Sequence, residues 1–176
     1  MTTEAITGAK FSSALRRAVL VLLLPSLGLA QESLVSINSL SPQAALEVAQ
    51  TSLSSCRSAG YQVAVAVVDR MGVTQVMLRD RYAGPHTPDT AERKAWTAVS
   101  FRSDTLTLSR NTQADSEQSG ARMIANALMI GGGVPIEAAG SIVGAVGISG
   151  APSGAEDDRC ARAGIQAMVE KLELVD

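Results

Sequence analysis

The stretch QVAVAVVDRMGVTQVMLRD, residues Gln62 to Asp80, carries the reading of the fold. Its first part, Gln62 to Asp69, is short, Val-rich and β-branched, which reads as a strand buried on at least one face. Arg70-Met71-Gly72 supplies a tight turn, and VTQVMLRD returns as the antiparallel partner. Upstream, Ser41-Pro42 is a cap followed by proline at the first helical position. Leu46, Ala49, Leu53 and Cys56 then recur at helical steps, and Gly60 is placed to end that helix. Downstream, in AGPHTPDTAERKAWTA (Ala83 to Ala98), Thr87 is a natural N-cap, Pro88 suits the first helical position and Asp89 suits the positive helix end. The helix should run to about Arg102. Its Ala91, Ala95 and Ala98 form a small-residue stripe that suits close packing on a sheet, with Trp96 and Phe101 filling gaps around it.

Residues Ser103 to Ser119 are polar and read as a short helix or an irregular loop. From Ala127 the texture turns Gly-rich and apolar. Two short strands, Leu128–Gly131 and Val134–Ala138, and a longer one, Ser141–Ser149, are expected there, with a hairpin turn at Ala139-Gly140. Ser153 and Glu156 have the spacing of a capping box, and the last helix should run to about Leu174 with Cys160 in its first half. Five strands joined largely by hairpins, with helices packed on them, define an α+β domain with an antiparallel sheet.

The N-terminal segment is of another kind. Lys10, Arg16 and Arg17 precede the apolar run AVLVLLLPSLGLA, which ends in the small residues Gly28 and Ala30. That describes a secretory signal peptide over residues 1–30, and the run falls short of the ~20 apolar residues a membrane span requires. An uncleaved signal anchor is the other reading. Residues 31–40 form a short lead-in, and 41–176 one domain with its own core. Removing the leader moves the formal charge from −2 to about −4. A mildly acidic product lacks the clustered positive charge that nucleic acid demands, and no other segment could insert stably in a membrane. The expected location is periplasmic or secreted. Both cysteines, Cys56 and Cys160, lie in the exported part, where they either pair or remain separate buried thiols.

Several chemistries are excluded by what is missing. One histidine and no CxxC spacing leave nothing for a zinc site of His and Cys. There is no GxSxG elbow, GGGVP lacks the Lys-Ser/Thr of a phosphate loop, and Gly144, Gly147 and Gly150 have the wrong spacing for a dinucleotide fingerprint. His86 stands just before the expected cap of the second helix. An imidazole at the positive end of a helix is favoured in its uncharged form, which is the form that binds a metal such as haem iron. Nearby amides with Arg79, Arg81, Arg93 or Lys94 could pair with ligand carboxylates. An exposed loop histidine without a ligand is the competing reading.

The segments VAVVDRMGVTQVMLRD, AGPHTPDTAERKAWTAVSF, IGGGVPI and VGAVGISGAPSGAEDDRCARAG, taken in order, cover nearly the whole expected mature chain. They resemble the haem-binding HbpS-like family, which also includes GlcG-like proteins and the C-terminal domain of PduO-type corrinoid adenosyltransferases. The resemblance implies a profilin-like α/β/α sandwich, homo-oligomers, and haem or another tetrapyrrole as ligand. A corrinoid, or no cofactor, is the alternative. The candidate cofactor-binding residues are His86, Thr87, Thr97, Lys94 and Arg79, of which Thr97, within KAWTA, is the one the resemblance points to. His86 is the preferred iron contact, because a hydroxyl such as that of Thr97 is a poor ligand beside imidazole. Lys94 is open to either propionate binding or a salt bridge with Asp89 or Glu92. In such a sandwich the first and last helices share one face of the sheet, so a Cys56–Cys160 disulfide is expected. Few aromatic residues remain to wall a deep cage, so a haem site would be shallow or shared between subunits. The functional expectation is an exported tetrapyrrole-binding sensor, scavenger or carrier. The alternative is an enzyme or accessory protein acting on a small carboxylate metabolite, with His86 as general acid or base.

Overall fold

The structure, a computed structural model, describes residues 35–169. The expected signal peptide and residues 170–176 lie outside them. Contacts divide the chain into two units, Met1–Ser36 and Ile37–Asp176. Of the first, only the exposed Val35 and Ser36 are described, and every described helix and strand belongs to the second.

Helix α1 spans Pro42–Ser58, with Ser41 Oγ accepting from the Ala44 amide, as the Ser-Pro signal implied. The hairpin follows as β1 (Ala64–Asp69) and β2 (Thr74–Arg79). Gly72 takes φ +82° in its turn, and Asp69 Oδ1 accepts from the Met71 and Val73 amides. Helix α2 spans Thr87–Phe101 and stops at Arg102, which adopts the left-handed conformation. The polar stretch forms a short helix α3 (Thr105–Asn111) and a 3-10 turn at Glu117–Met123. Strands β3 (Gly133–Ala138) and β4 (Ser141–Ser149) are joined at Ala139-Gly140, where φ is positive at both residues as a two-residue hairpin turn requires. Helix α4, Gly154–Gln166, starts with Ser153 Oγ accepting from the Glu156 amide; the expected helix end near Leu174 lies outside the described residues.

The sheet has four strands in the order β2-β1-β4-β3, all antiparallel. The expected fifth strand, Leu128–Gly131, is not one. Its backbone polar groups go elsewhere: the Leu128 amide donates to Thr97 Oγ1 at 2.8 Å and the Ile130 amide turns back to the Leu128 carbonyl at 2.9 Å. Gly132, at φ +116°, then redirects the chain into β3. A short apolar run cannot reveal this, because a buried loop and a buried strand look alike in composition.

Side chains of β1 alternate by size as well as by face. Val65 and Val67 join the main core with α1 and α4, whereas Ala64, Ala66 and Val68 face α2. On β4, Val146 and Ile148 join the main core, and Ala145 and Gly147 face α2. The molecule is thus layered: α1 and α4 on one face, the sheet, and α2 on the other. A Cβ on Gly147 would meet the Ala91 carbonyl oxygen, and one on Gly133 would meet that of Lys94. Small residues on both partners set the approach of α2. The buried face of α1 differs from the expected stripe: Ala45, Val48, Ala49, Ser52, Leu53 and Cys56 are buried, while Leu46 is 40 % exposed. The Cys56–Cys160 disulfide joins α1 to α4, with Cα atoms 5.4 Å apart and a sequence separation of 104.

Candidate functional site

At one end of the sheet lies a cleft of about 680 Å³. Its walls come from the start of α2, the loop before it, the segment leading into β1, and the β4–α4 connection. Two helix starts therefore border one cavity, because both α2 and α4 follow chain reversals at that end.

The loop before α2 is held by its backbone. The Thr87 amide and Thr87 Oγ1 both donate to the Gly84 carbonyl, at 3.0 and 2.7 Å, and Arg79 donates to the Ala83 carbonyl. Thr87 was expected as the cap; its hydroxyl turns back to Gly84, so the helix begins with Thr87 itself and His86 takes the cap position. The His86 carbonyl accepts from Thr90 Oγ1 at 2.9 Å, whereas its imidazole makes no hydrogen bond among the described residues. The exposed ring folds over Gly84, where a Cβ would lie 2.7 Å from Cε1. His86, Thr87, Thr90 and Tyr82 all line the cleft.

Deeper in the wall are Lys94 and Asp157. Lys94 Nζ donates to Asp157 Oδ2 at 2.8 Å and to the Ile148 carbonyl at 2.9 Å; the two side chains are 2 % and 4 % exposed. Asp157 Oδ1 accepts from the Ala151 amide at 3.0 Å. This corrects the expected pairing of Lys94 with Asp89 or Glu92. Asp89 instead faces Arg93 at 3.9 Å, and Glu92 accepts from Thr74 Oγ1 at 2.7 Å. The reason is direction: Lys94 projects from the sheet-facing side of α2, and Gly132 leaves it room to pass. Burial lowers the Lys94 pKa below 10.5 and raises that of Asp157 above 3.8; their mutual attraction opposes both shifts without overcoming them.

The other expected site residues are placed differently. Thr97 is fully buried; its hydroxyl donates to the Arg93 carbonyl at 2.7 Å and accepts from the Leu128 amide, outside the cleft lining. Arg79 braces Ala83 and does not line the cleft. Sequence reasoning misses Asp157, although a signal exists. It stands three, four and seven residues before Cys160, Ala161 and Gly164, so it is a charge on the buried stripe of α4. Lys94 breaks the alanine stripe of α2 in the same way.

The donor set suits one kind of metal centre. A single unengaged imidazole could hold iron that a macrocycle already carries, whereas a free ion needs several protein ligands. Tyr61, Tyr82, Ile130 and Pro152 give the cleft flat and apolar wall, and its size falls within the usual range for ligand sites.

Fold and cleft together define the class: an α+β domain with an antiparallel four-stranded sheet and a cavity at two helix starts. Residues 40–166 match the family described as Haem degrading protein HbpS-like, and the chain belongs to that family. Among solved structures, HbpS is 38 % identical over 77 % of this chain and 94 % of its own, with a TM-score of 0.73. A double mutant of Streptomyces reticuli HbpS is 32 % identical, covering 95 % of this chain and 99 % of that one, with a TM-score of 0.74. A PduOC:heme complex is similar at 27 % identity, over 73 % of this chain and 94 % of its own, with a TM-score of 0.68. No relative among curated proteins matches.

Proposed function

We propose that this chain binds haem or a closely related tetrapyrrole in the cleft beside α2, with His86 as the iron contact. The observation that carries the reading is an exposed imidazole without a hydrogen bond, on a loop otherwise pinned by backbone bonds, at the edge of a cavity of suitable size. Membership of the HbpS-like family and likeness to a PduOC:heme complex support it. A bound haem would supply redox and oxygen chemistry at its iron; the chain supplies the imidazole, the wall and the loop that positions them. Propionates would meet the helix starts rather than Lys94, whose ammonium is already committed to Asp157.

Export is part of the proposal. Residues 1–30 act as a signal peptide, and residues 41–176 work in the periplasm or outside the cell as a sensor, scavenger or carrier. The disulfide supports an oxidising location. Exposed Ile130, Met123 and Ile124 support assembly of copies around a shallow cleft, Ile130 being part of its lining. A corrinoid is the alternative tetrapyrrole.

Titrating the protein with haemin tests the reading. A saturable Soret shift is expected, weakened about tenfold or more in His86→Ala with circular dichroism unchanged, since an exposed side chain without hydrogen bonds adds little to stability. Stoichiometry reports whether two copies share one ligand. An unsaturable change, or a shift indifferent to His86, overturns it. The buried Lys94–Asp157 pair favours a second reading, action on a small carboxylate-bearing metabolite in the same cleft.

A further inference from the structure

Lys94 is unusual within this chain. Of its fifteen basic residues twelve are arginines, and the lysines are Lys10, Lys94 and Lys171. Within the described residues 35–169, every basic residue except Lys94 is an arginine. A guanidinium stays charged, whereas an ammonium can release a proton and become a nucleophile. The one described amine is placed in the wall of the cleft and not on the outer surface.

Its surroundings suit amine chemistry. A carboxylate oxygen, Asp157 Oδ2, lies 2.8 Å from Nζ, and the Ala151 amide fixes the other carboxylate oxygen. An ammonium has three hydrogens; Ile148 O and Asp157 Oδ2 take two, and the third has no acceptor among the described residues. Gly132 keeps the space beside the pair clear, since a Cβ there would lie 3.1 Å from Nζ and 2.6 Å from Asp157 Cβ. Only a thin strip of Lys94 is open, which restricts any partner to a small molecule.

We infer that Lys94 is an imine-forming amine through which the cleft captures a small aldehyde or ketone. Asp157 Oδ2 takes one proton from the Lys94 ammonium. The freed lone pair attacks the carbonyl carbon, the Nζ–C bond forms, and the carbonyl π pair moves to oxygen. A proton passes from Nζ to that oxygen, giving a carbinolamine. Protonated Asp157 then returns its proton to the hydroxyl, the C–O bond breaks, and water leaves. The product is a protonated imine beside an ionised Asp157, with no change of oxidation state. The lowered Lys94 pKa and raised Asp157 pKa both move the pair toward the state the first transfer needs. This inference rests on the small-metabolite reading of the cleft and not on tetrapyrrole binding, so haemin titration leaves it untouched.

The test treats the full chain with acetaldehyde or pyruvate and sodium cyanoborohydride, then maps adducts by peptide mass. With so few lysines the assignment is unambiguous. The expected result is a reduced adduct on Lys94 that saturates with carbonyl concentration and exceeds that on Lys171 about tenfold or more at low carbonyl. The Lys94→Met/Asp157→Asn double variant, with circular dichroism unchanged, should show adducts elsewhere only, none of them saturable. Adducts confined to Lys10, Lys171 and the N-terminal amine of the natural chain would overturn the inference. So would labelling of Lys94 that rises linearly without saturation.

Discussion

Lys94 and Asp157 show how two charges come to lie inside a small domain. Each is held by the other and by one backbone group, so no ionic atom of Asp157 lacks a partner. Desolvation is nevertheless the largest influence on both. A buried pair of this kind costs about 3–5 kcal/mol when one partner is removed, whereas replacing both by neutral groups of similar size is often near neutral. Urea unfolding should therefore show Lys94→Met and Asp157→Asn each destabilising, and the double variant closer to the natural protein than the sum of the two. The pH dependence has a definite sign. Above 3.8, up to the raised folded value of Asp157, the folded state binds more protons than the unfolded one, so this group's contribution to stability falls as pH rises. Between the lowered folded value of Lys94 and 10.5 the unfolded state binds more, so its contribution rises with pH. Plotted against pH, the stability of the natural protein relative to the double variant should form a trough in mid-range. A dome would show that mutual attraction, not desolvation, dominates.

Among the elements, α2 does most to place the site. It lies close on the sheet because Ala91, Ala95 and Ala98 meet Ala64, Ala66, Ala145 and Gly147. That approach lets Lys94 reach Ile148 and Asp157 past the end of β4. Gly147→Ala would drive a methyl into the Ala91 carbonyl and push the helix outward. We expect a loss of about 1–3 kcal/mol or more in thermal or urea unfolding, with weaker haemin binding because the His86 loop moves with the helix. A variant as stable as the natural protein would show that α2 has slack against the sheet. The helix periods, the Ser41 and Ser153 caps and both hairpins were legible, since each rests on local spacing or turn chemistry. The missing fifth strand was not, because the pairing of Leu128 is made with Thr97, thirty-one residues away. The shift of the α2 start by one residue has the same kind of cause, a hydroxyl that donates to Gly84 in place of capping an amide.

For the molecule as a whole, the disulfide ties the first helix to the last. Closing so long a loop limits the freedom of the unfolded chain, and Cys56→Ser with Cys160→Ser should cost about 2–4 kcal/mol. Labelling of denatured, unreduced protein should find no free thiol; two free thiols would overturn the pairing. The α1–α4 contact is tight for a second reason. Gly164 lies against Val48 and Ser52, so the helices approach closely beside the bridge. Sequence by itself determined the helix starts at Ser41 and Ser153, both hairpins, and the presence of one histidine beside a helix start. Those are local matters of period, cap and turn. Tertiary structure alone decided that the sheet has four strands, that Thr97 is sealed away from the cleft, and that Lys94 pairs with Asp157. Each depends on which distant atom reaches a polar group first, and a buried polar group takes the partner that packing brings to it.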